Sequence, residues 1–320
     1  MTMTVLFVLA RSGHFAAALL LFALPFFVAW IMRPTLIRAA PETPRIYEAY
    51  GRVLMKWFWA ALLIEALSGA AWFWLVTLQM SGDPLWSLPA SDDLQTVLWQ
   101  TQFGQLWLGR AVALVVLCIL TALASRGSFF FLGKGPLLGG LALAVSGTLL
   151  ASLAWAGHAA AGINSRTTHL LADTLHLALG AVWPVGLAPF ALFLRYAGRA
   201  GQAWPVMAVL AAVRRFSETS FVVVLVLVAT GFVNGWFLVG SWAALFSTLY
   251  GWWLLAKIAV TAMMIGLGAW NRWSKLPALL AAPEDSTRYL SLRRNVIAET
   301  MLAGIVLLIV GIMGMTAPPQ

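Results

Sequence analysis

A single cysteine, Cys118, excludes an intramolecular disulfide and any paired-cysteine metal or redox site. Charge is nearly as scarce, since only 10% of the 320 residues are Asp, Glu, Lys or Arg, too few to cover a soluble domain of this length. Alternating apolar and polar residues are missing from the hydrophobic stretches, which excludes an outer-membrane barrel. There is no low-complexity segment, nucleotide-binding loop or nucleophile–base constellation, so no enzyme is expected. A convincing internal repeat is also lacking. Histidine is reduced to four residues, His14, His158, His169 and His176.

What is present is apolar. Hydrophobic residues make up 62% of the chain and the mean hydropathy is +0.88. Eight runs reach the roughly 20 residues that a helix needs to cross the hydrocarbon. They are 5–32, 57–79, 105–125, 136–157, 169–194, 217–239, 251–270 and 297–315. The first is too long for the core of a signal peptide and is read as a retained helix. The expected fold is all-α, a polytopic bundle of eight transmembrane helices forming one domain over residues 1–320. Tryptophans gather at segment ends (Trp57 and Trp59, Trp252 and Trp253), as in interfacial belts.

The net charge of +9 would raise nucleic acid as a partner in a soluble protein. Here the cations fill alternate loops instead. Arg33, Arg38, Arg45, Arg52 and Lys56 follow the first run. Arg126 and Lys134 follow the third, Arg195, Arg199, Arg214 and Arg215 the fifth, and Arg272, Lys275, Arg288, Arg293 and Arg294 the seventh. Residues 80–104 carry Asp83, Asp92 and Asp93 but no cation, 158–168 carry only Arg166, and 240–250 carry none. By the positive-inside rule both termini face the periplasm, lipid is the surrounding partner, and no nucleic acid is expected.

This orientation puts all four histidines toward the periplasmic side. In His169-Leu-Leu-Ala-Asp173-Thr-Leu-His176, the three polar side chains fall within about 60° of one helical stripe. His14 and His176 lie at similar depth, about 13 and 12 Å from their helix entrances, whereas His158 and His169 sit near the surface. The expectation is an outer pair (His158, His169) and an inner pair (His14, His176). Asp173 lies between them, as a ligand or as a group orienting one. Imidazole with carboxylate suits Cu(II), Zn or Ni, and imidazole also ligates haem iron. Histidines that merely pack are the plain alternative. Met80, Met313 and Met315, near outer ends, are candidate thioether donors, and Trp183 and Asn234 are candidate lining groups.

Other charges lie inside the apolar runs. Arg11, Arg110 and Lys257 occupy the outer half, and three cations exceed what Asp173 alone neutralises. Glu65 is counted with Cys118, Met32 and Met55 in the inner half. Arg110, Glu218 and Glu299 are read as snorkelling or pairing between helices, while Arg11 and Lys257 require partners. Pro184 should kink the fifth helix below the histidine stripe.

At these residues the sequence resembles the CopD family of bacterial copper-resistance and copper-uptake inner-membrane proteins. The resemblance rests on Arg11-Ser-Gly-His14, Gly157-His158-Ala159-Ala160, the His169/Asp173/His176 helix running into Trp183, and Arg215-Phe216-Ser217. It continues through Ala229-Thr230-Gly231, Thr248-Leu-Tyr250-Gly251 with Lys257, Asn271-Arg272, and Arg294 with Glu299. It implies copper taken from the periplasm, often from a CopC-type copper-binding partner, and moved inward or passed to a cuproprotein client. It implies ligands at His14, His158, His169 and His176. This chain has Trp183-Pro-Val-Gly186-Leu187 where a Trp-x-Gly-Gly-Leu turn is expected, and no CopC-like domain is fused to it. The competing reading is a b-type cytochrome. Its haem b would be ligated by His14 and His176, with Arg11, Arg110 and Lys257 neutralising the propionates.

Overall fold

The computed structural model describes residues 2–37, 47–125, 136–156, 166–199 and 204–319. It contains eight helices long and apolar enough to cross a membrane: α1 (Met3–Leu36), α2 (Glu48–Ser81), α3 (Gln102–Ser125), α4 (Leu137–Trp155), α5 (Thr167–Ala197), α6 (Val206–Val239), α7 (Leu249–Ala281) and α8 (Ser286–Met313). Among the described residues there is no strand. All eight expected spans are found, and most run past the apolar stretch that announced them. A helix satisfies its own backbone and does not stop where side chains become polar. It stops at chain breakers: α6 begins after Pro205, while α2 and α6 end at Gly82 and Gly240, with φ of 77° and 68°.

Two prolines inside spans sit in wider turns. Residues Phe27–Ile37, which include Pro34, form a π-helical continuation of α1. In α5 the turn Ala181–Val185 is π-helical around Pro184, and the Gly186 N–H donates to the Ala181 carbonyl at 3.0 Å. The expected kink at Pro184 is therefore a widened turn that accommodates the ring.

Two helices form the centre. In α1 and α5, 61% and 56% of the hydrophobic window is buried, against 6% in α7, which lies at the rim. α1 packs on α2, α4, α8 and the π-turn of α5. α5 packs on α6, α8 and α4. At the end away from the histidines the core is aromatic, with Phe190 stacked on Phe216 at 4.0 Å and Phe27, Tyr50 and Phe193 around them.

The arrangement repeats, contrary to the sequence expectation. A short helix, Ser91–Gln100, leads into α3, and a second, Trp242–Ser247, leads into α7. Each is followed by a threonine whose hydroxyl accepts the N–H three residues on: Gly104 N–H to Thr101, and Gly251 N–H to Thr248, both at 3.0 Å. A Cβ on Gly104 or Gly251 would collide with the carbonyl of Val97 or Leu245 respectively, so both corners need glycine. Arg110 follows Thr101 by nine residues, as Lys257 follows Thr248. The halves α1–α4 and α5–α8 thus share the same corner, the same cation spacing and the same order of helices. They run in the same direction, and α1 packs on α8 as α5 packs on α4. The repeat escaped detection because it is carried by a few polar and glycine positions, while the apolar residues between them are interchangeable.

Candidate functional site

The repeat organises two buried polar clusters. In the first half His14 is 2% exposed and lies between α2 and α3. Its Nδ1 is 3.1 Å from Ser68 Oγ, and its Nε2 is 2.7 Å from Arg110 Nη2. A guanidinium only donates, so Nε2 accepts and Nδ1–H donates to Ser68, whose own proton goes to the Ile64 carbonyl. Arg110 also binds Glu65 Oε1 at 2.7 Å, the Leu149 carbonyl at 3.0 Å and Ser152. Glu65 Oε1 is 3.4 Å from His14 Nε2. Glu65 therefore belongs beside His14, not among the inner-half groups with which the sequence placed it. It is the anion that the cation excess required. Trp107 stacks on the imidazole with centroids 5.5 Å apart, and Trp72 meets it edge-on at 5.6 Å. Arg11 lies over the Trp72 ring at 4.5 Å, a cation–π contact that supplies the partner its depth demanded.

In the second half the three polar groups of α5 all face α6, in descending order. The His169 ring stacks on Phe237 at 4.9 Å. Asp173 Oδ1 accepts from Asn234 Nδ2 at 3.2 Å. His176 Nδ1 is 3.0 Å from Thr230 Oγ1. The stripe deduced from helical periodicity thus points at a single neighbouring helix. Thr230 Oγ1 gives its proton to the carbonyls of Val226 and Leu227 at 2.9 and 3.1 Å, so it accepts from His176 Nδ1–H. The Nε2 lone pair of His176 is then left without a hydrogen-bond partner among the described residues. Lys257 acts electrostatically on both Asp173 and His176, and Asp173 acts on Tyr250.

The two imidazoles are supported identically. His14 and Ser68 are 54 residues apart, and so are His176 and Thr230. The next residue is glycine in both: a Cβ on Gly69 would lie 3.1 Å from His14 Cε1, and on Gly231 3.2 Å from His176 Cε1. This paired spacing, His…Ser-Gly and His…Thr-Gly, was the sequence signal for Ser68, Thr230 and the repeat itself.

The remaining candidates are dispersed. His158 lies outside the described residues. Met80 is exposed, Met313 packs with Val239, Tyr250 and Ile309, and Met315 packs against the cluster around Trp72. Trp183 is buried two turns below His176, beside Gly268 of α7. Among the described residues no three His, Cys, Asp or Glu side chains gather to hold a metal ion. His14 and His176 have separate sets of neighbours rather than one shared site. Arg110 engages His14 Nε2, so a haem or a metal ion ligated there would first have to displace it.

Residues 1–167 match the family model described as copper resistance protein D-like, N-terminal domain, and residues 210–313 match copper resistance protein D. The first match ends where α5 begins, at the boundary between the repeats. The chain is 32% identical over 264 residues to copper resistance protein D of Pseudomonas syringae pv. tomato, covering 81% of this chain and 82% of that one. It is 33% identical over 182 residues to copper transport protein CutJ of Bacillus subtilis (strain 168). That second alignment covers 55% of this chain and 31% of the relative. No solved structure matches.

Proposed function

The chain belongs to the copper resistance protein D family, and on that premise we propose that it takes copper at a periplasm-facing histidine stripe and moves it inward across the bacterial inner membrane. Copper is the cargo. The reading rests chiefly on the single file of His169, Asp173 and His176 facing α6. Along the helix axis these groups are separated by steps of about 6 and 4.5 Å, short enough to hand an ion from one donor to the next. His176 offers an unengaged Nε2 lone pair, and Thr230 fixes its tautomer as an outer-shell partner does for a ligating imidazole. Lys257 keeps Asp173 charge-balanced until a cation takes its place.

His158 would stand at the entrance, where a separate CopC-type periplasmic protein delivers the ion. His14 joins the path when Arg110 leaves its Nε2 and stays held by Glu65, the Leu149 carbonyl and Ser152. The cation-rich alternate loops support the orientation.

Elemental analysis of the purified full chain tests the site. Copper bound by the wild type should be lost in His169→Ala/His176→Ala, and unchanged copper in that variant refutes the stripe. Copper uptake by cells lacking or restored for the gene tests direction. Restored loading of a periplasmic cuproprotein, without a rise in cytoplasmic copper, replaces import by delivery.

A further inference from the structure

At the other end of the bundle, α5, α6, α7 and α8 enclose a cavity of about 190 Å³. Its wall includes Phe216, Ser217, Ser220, Arg272 and Glu299. Ser217 precedes Thr230 by thirteen residues on α6, so the cavity lies about 20 Å along the axis from the His176 cluster. Glu299 is 1% exposed. Its Oε1 accepts from Asn271 Nδ2 at 2.6 Å, and Asn271 Oδ1 accepts in turn from Asn295 Nδ2 at 2.9 Å. Its Oε2 has no hydrogen-bond partner among the described residues and lies 3.3 Å from where a Cβ on Gly268 would stand.

The charges facing Glu299 are few. From α7 there is Arg272, whose guanidinium is hydrogen-bonded to Ser217 at 3.0 Å and lies over Phe221 at 4.8 Å. The lining residues of α5 and α6 carry no charge, and on α8 Glu299 is the only titratable one. Glu65, in the first half, is neutralised by Arg110; Glu299 forms no ion pair among the described residues. A carboxylate this buried, with one neutral donor and no ion pair among the described residues, is strongly disfavoured, so the group takes a cation. Copper is a poor match, because no His, Cys or Met lines the cavity. A proton needs only the Oε2 lone pair. The cavity has room for several waters, and Ser217, Ser220 and Asn271 in its wall give them partners beside the carboxyl.

We infer that Glu299 is a proton-binding site, that its carboxyl takes up and releases one proton through this cavity at the cytoplasmic end, and that copper movement is coupled to the exchange. The coupling rests on the transport reading above; the proton site does not. The experiment uses the full chain, purified and reconstituted in vesicles, with Glu299→Gln as a permanently neutral isostere and Glu299→Asp as the conservative variant.

In infrared difference spectra, a protonated-carboxyl band should titrate with pH in wild type and Glu299→Asp and be missing from Glu299→Gln. A Glu299 band that does not change with pH overturns the site. Copper flux in the wild type should respond to an imposed pH gradient, by about tenfold in limiting accumulation per pH unit for one proton per ion. In Glu299→Gln copper binding should persist while the response disappears; an undiminished response overturns the coupling. A titrating band in a wild type that moves no copper upholds the proton site and removes the transport reading instead.

Discussion

In the first half of the bundle His14 rests on Ser68 and Gly69 and gives its remaining nitrogen to Arg110; in the second half His176 rests on Thr230 and Gly231, and that nitrogen has no hydrogen bond among the described residues. Both halves bring a carboxylate and a cation to the imidazole, but from different places. Glu65 comes from α2 and pairs directly with Arg110. Asp173 comes from α5, three residues before the histidine, where the first half has Arg11. At that step an arginine in one half stands as an aspartate in the other, so the first cluster is closed by cations and the second sets a carboxylate on the same stripe as its imidazole.

The largest expected effect concerns the closed half. Arg110→Ala leaves Glu65 buried without its counter-ion and should cost about 3–5 kcal/mol in thermal unfolding of the detergent-solubilised protein. Arg110→Ala/Glu65→Gln should recover most of that loss. Lys257→Ala should cost clearly less, because Asp173 retains Asn234. Equal losses at Arg110 and Lys257 would break the asymmetry between the halves.

Copper affinity sharpens the same contrast. His176→Ala should weaken binding by more than the roughly ten- to hundredfold that loss of an outer-shell partner costs, in equilibrium dialysis, while His14→Ala weakens it less. An order reversed between the two variants would move the receiving site to the first half.

Smaller effects test the shared support. Gly69→Ala and Gly231→Ala each press a methyl against an imidazole edge at 3.1 and 3.2 Å and should each cost about 1 kcal/mol of stability. Only Gly231→Ala should also lower copper affinity. Least of all, Ser68→Ala and Thr230→Val each remove one hydrogen bond, about 1 kcal/mol or less in unfolding. Thr230→Ser should restore the wild-type value.

By itself the sequence determined the eight spans and the α5 stripe. Both follow from local rules: the bilayer sets the length of an apolar run, and 100° per residue places His169, Asp173 and His176 on one face whatever surrounds them. It also exposed the shortage of anions around Arg11, Arg110 and Lys257. Only the tertiary structure decided which groups met. Glu65 looked like an inner-half residue until packing of α2 against α1 and α3 set it beside His14, and Glu299 looked like a helix-end charge until Asn271 and the cavity enclosed it. Pairing between helices depends on their relative slide and rotation, which apolar residues specify collectively and no short motif spells out. The repeat was hidden for the same reason, since conserving a packing geometry requires a few glycines and hydroxyls in register and leaves the rest of each helix free to vary.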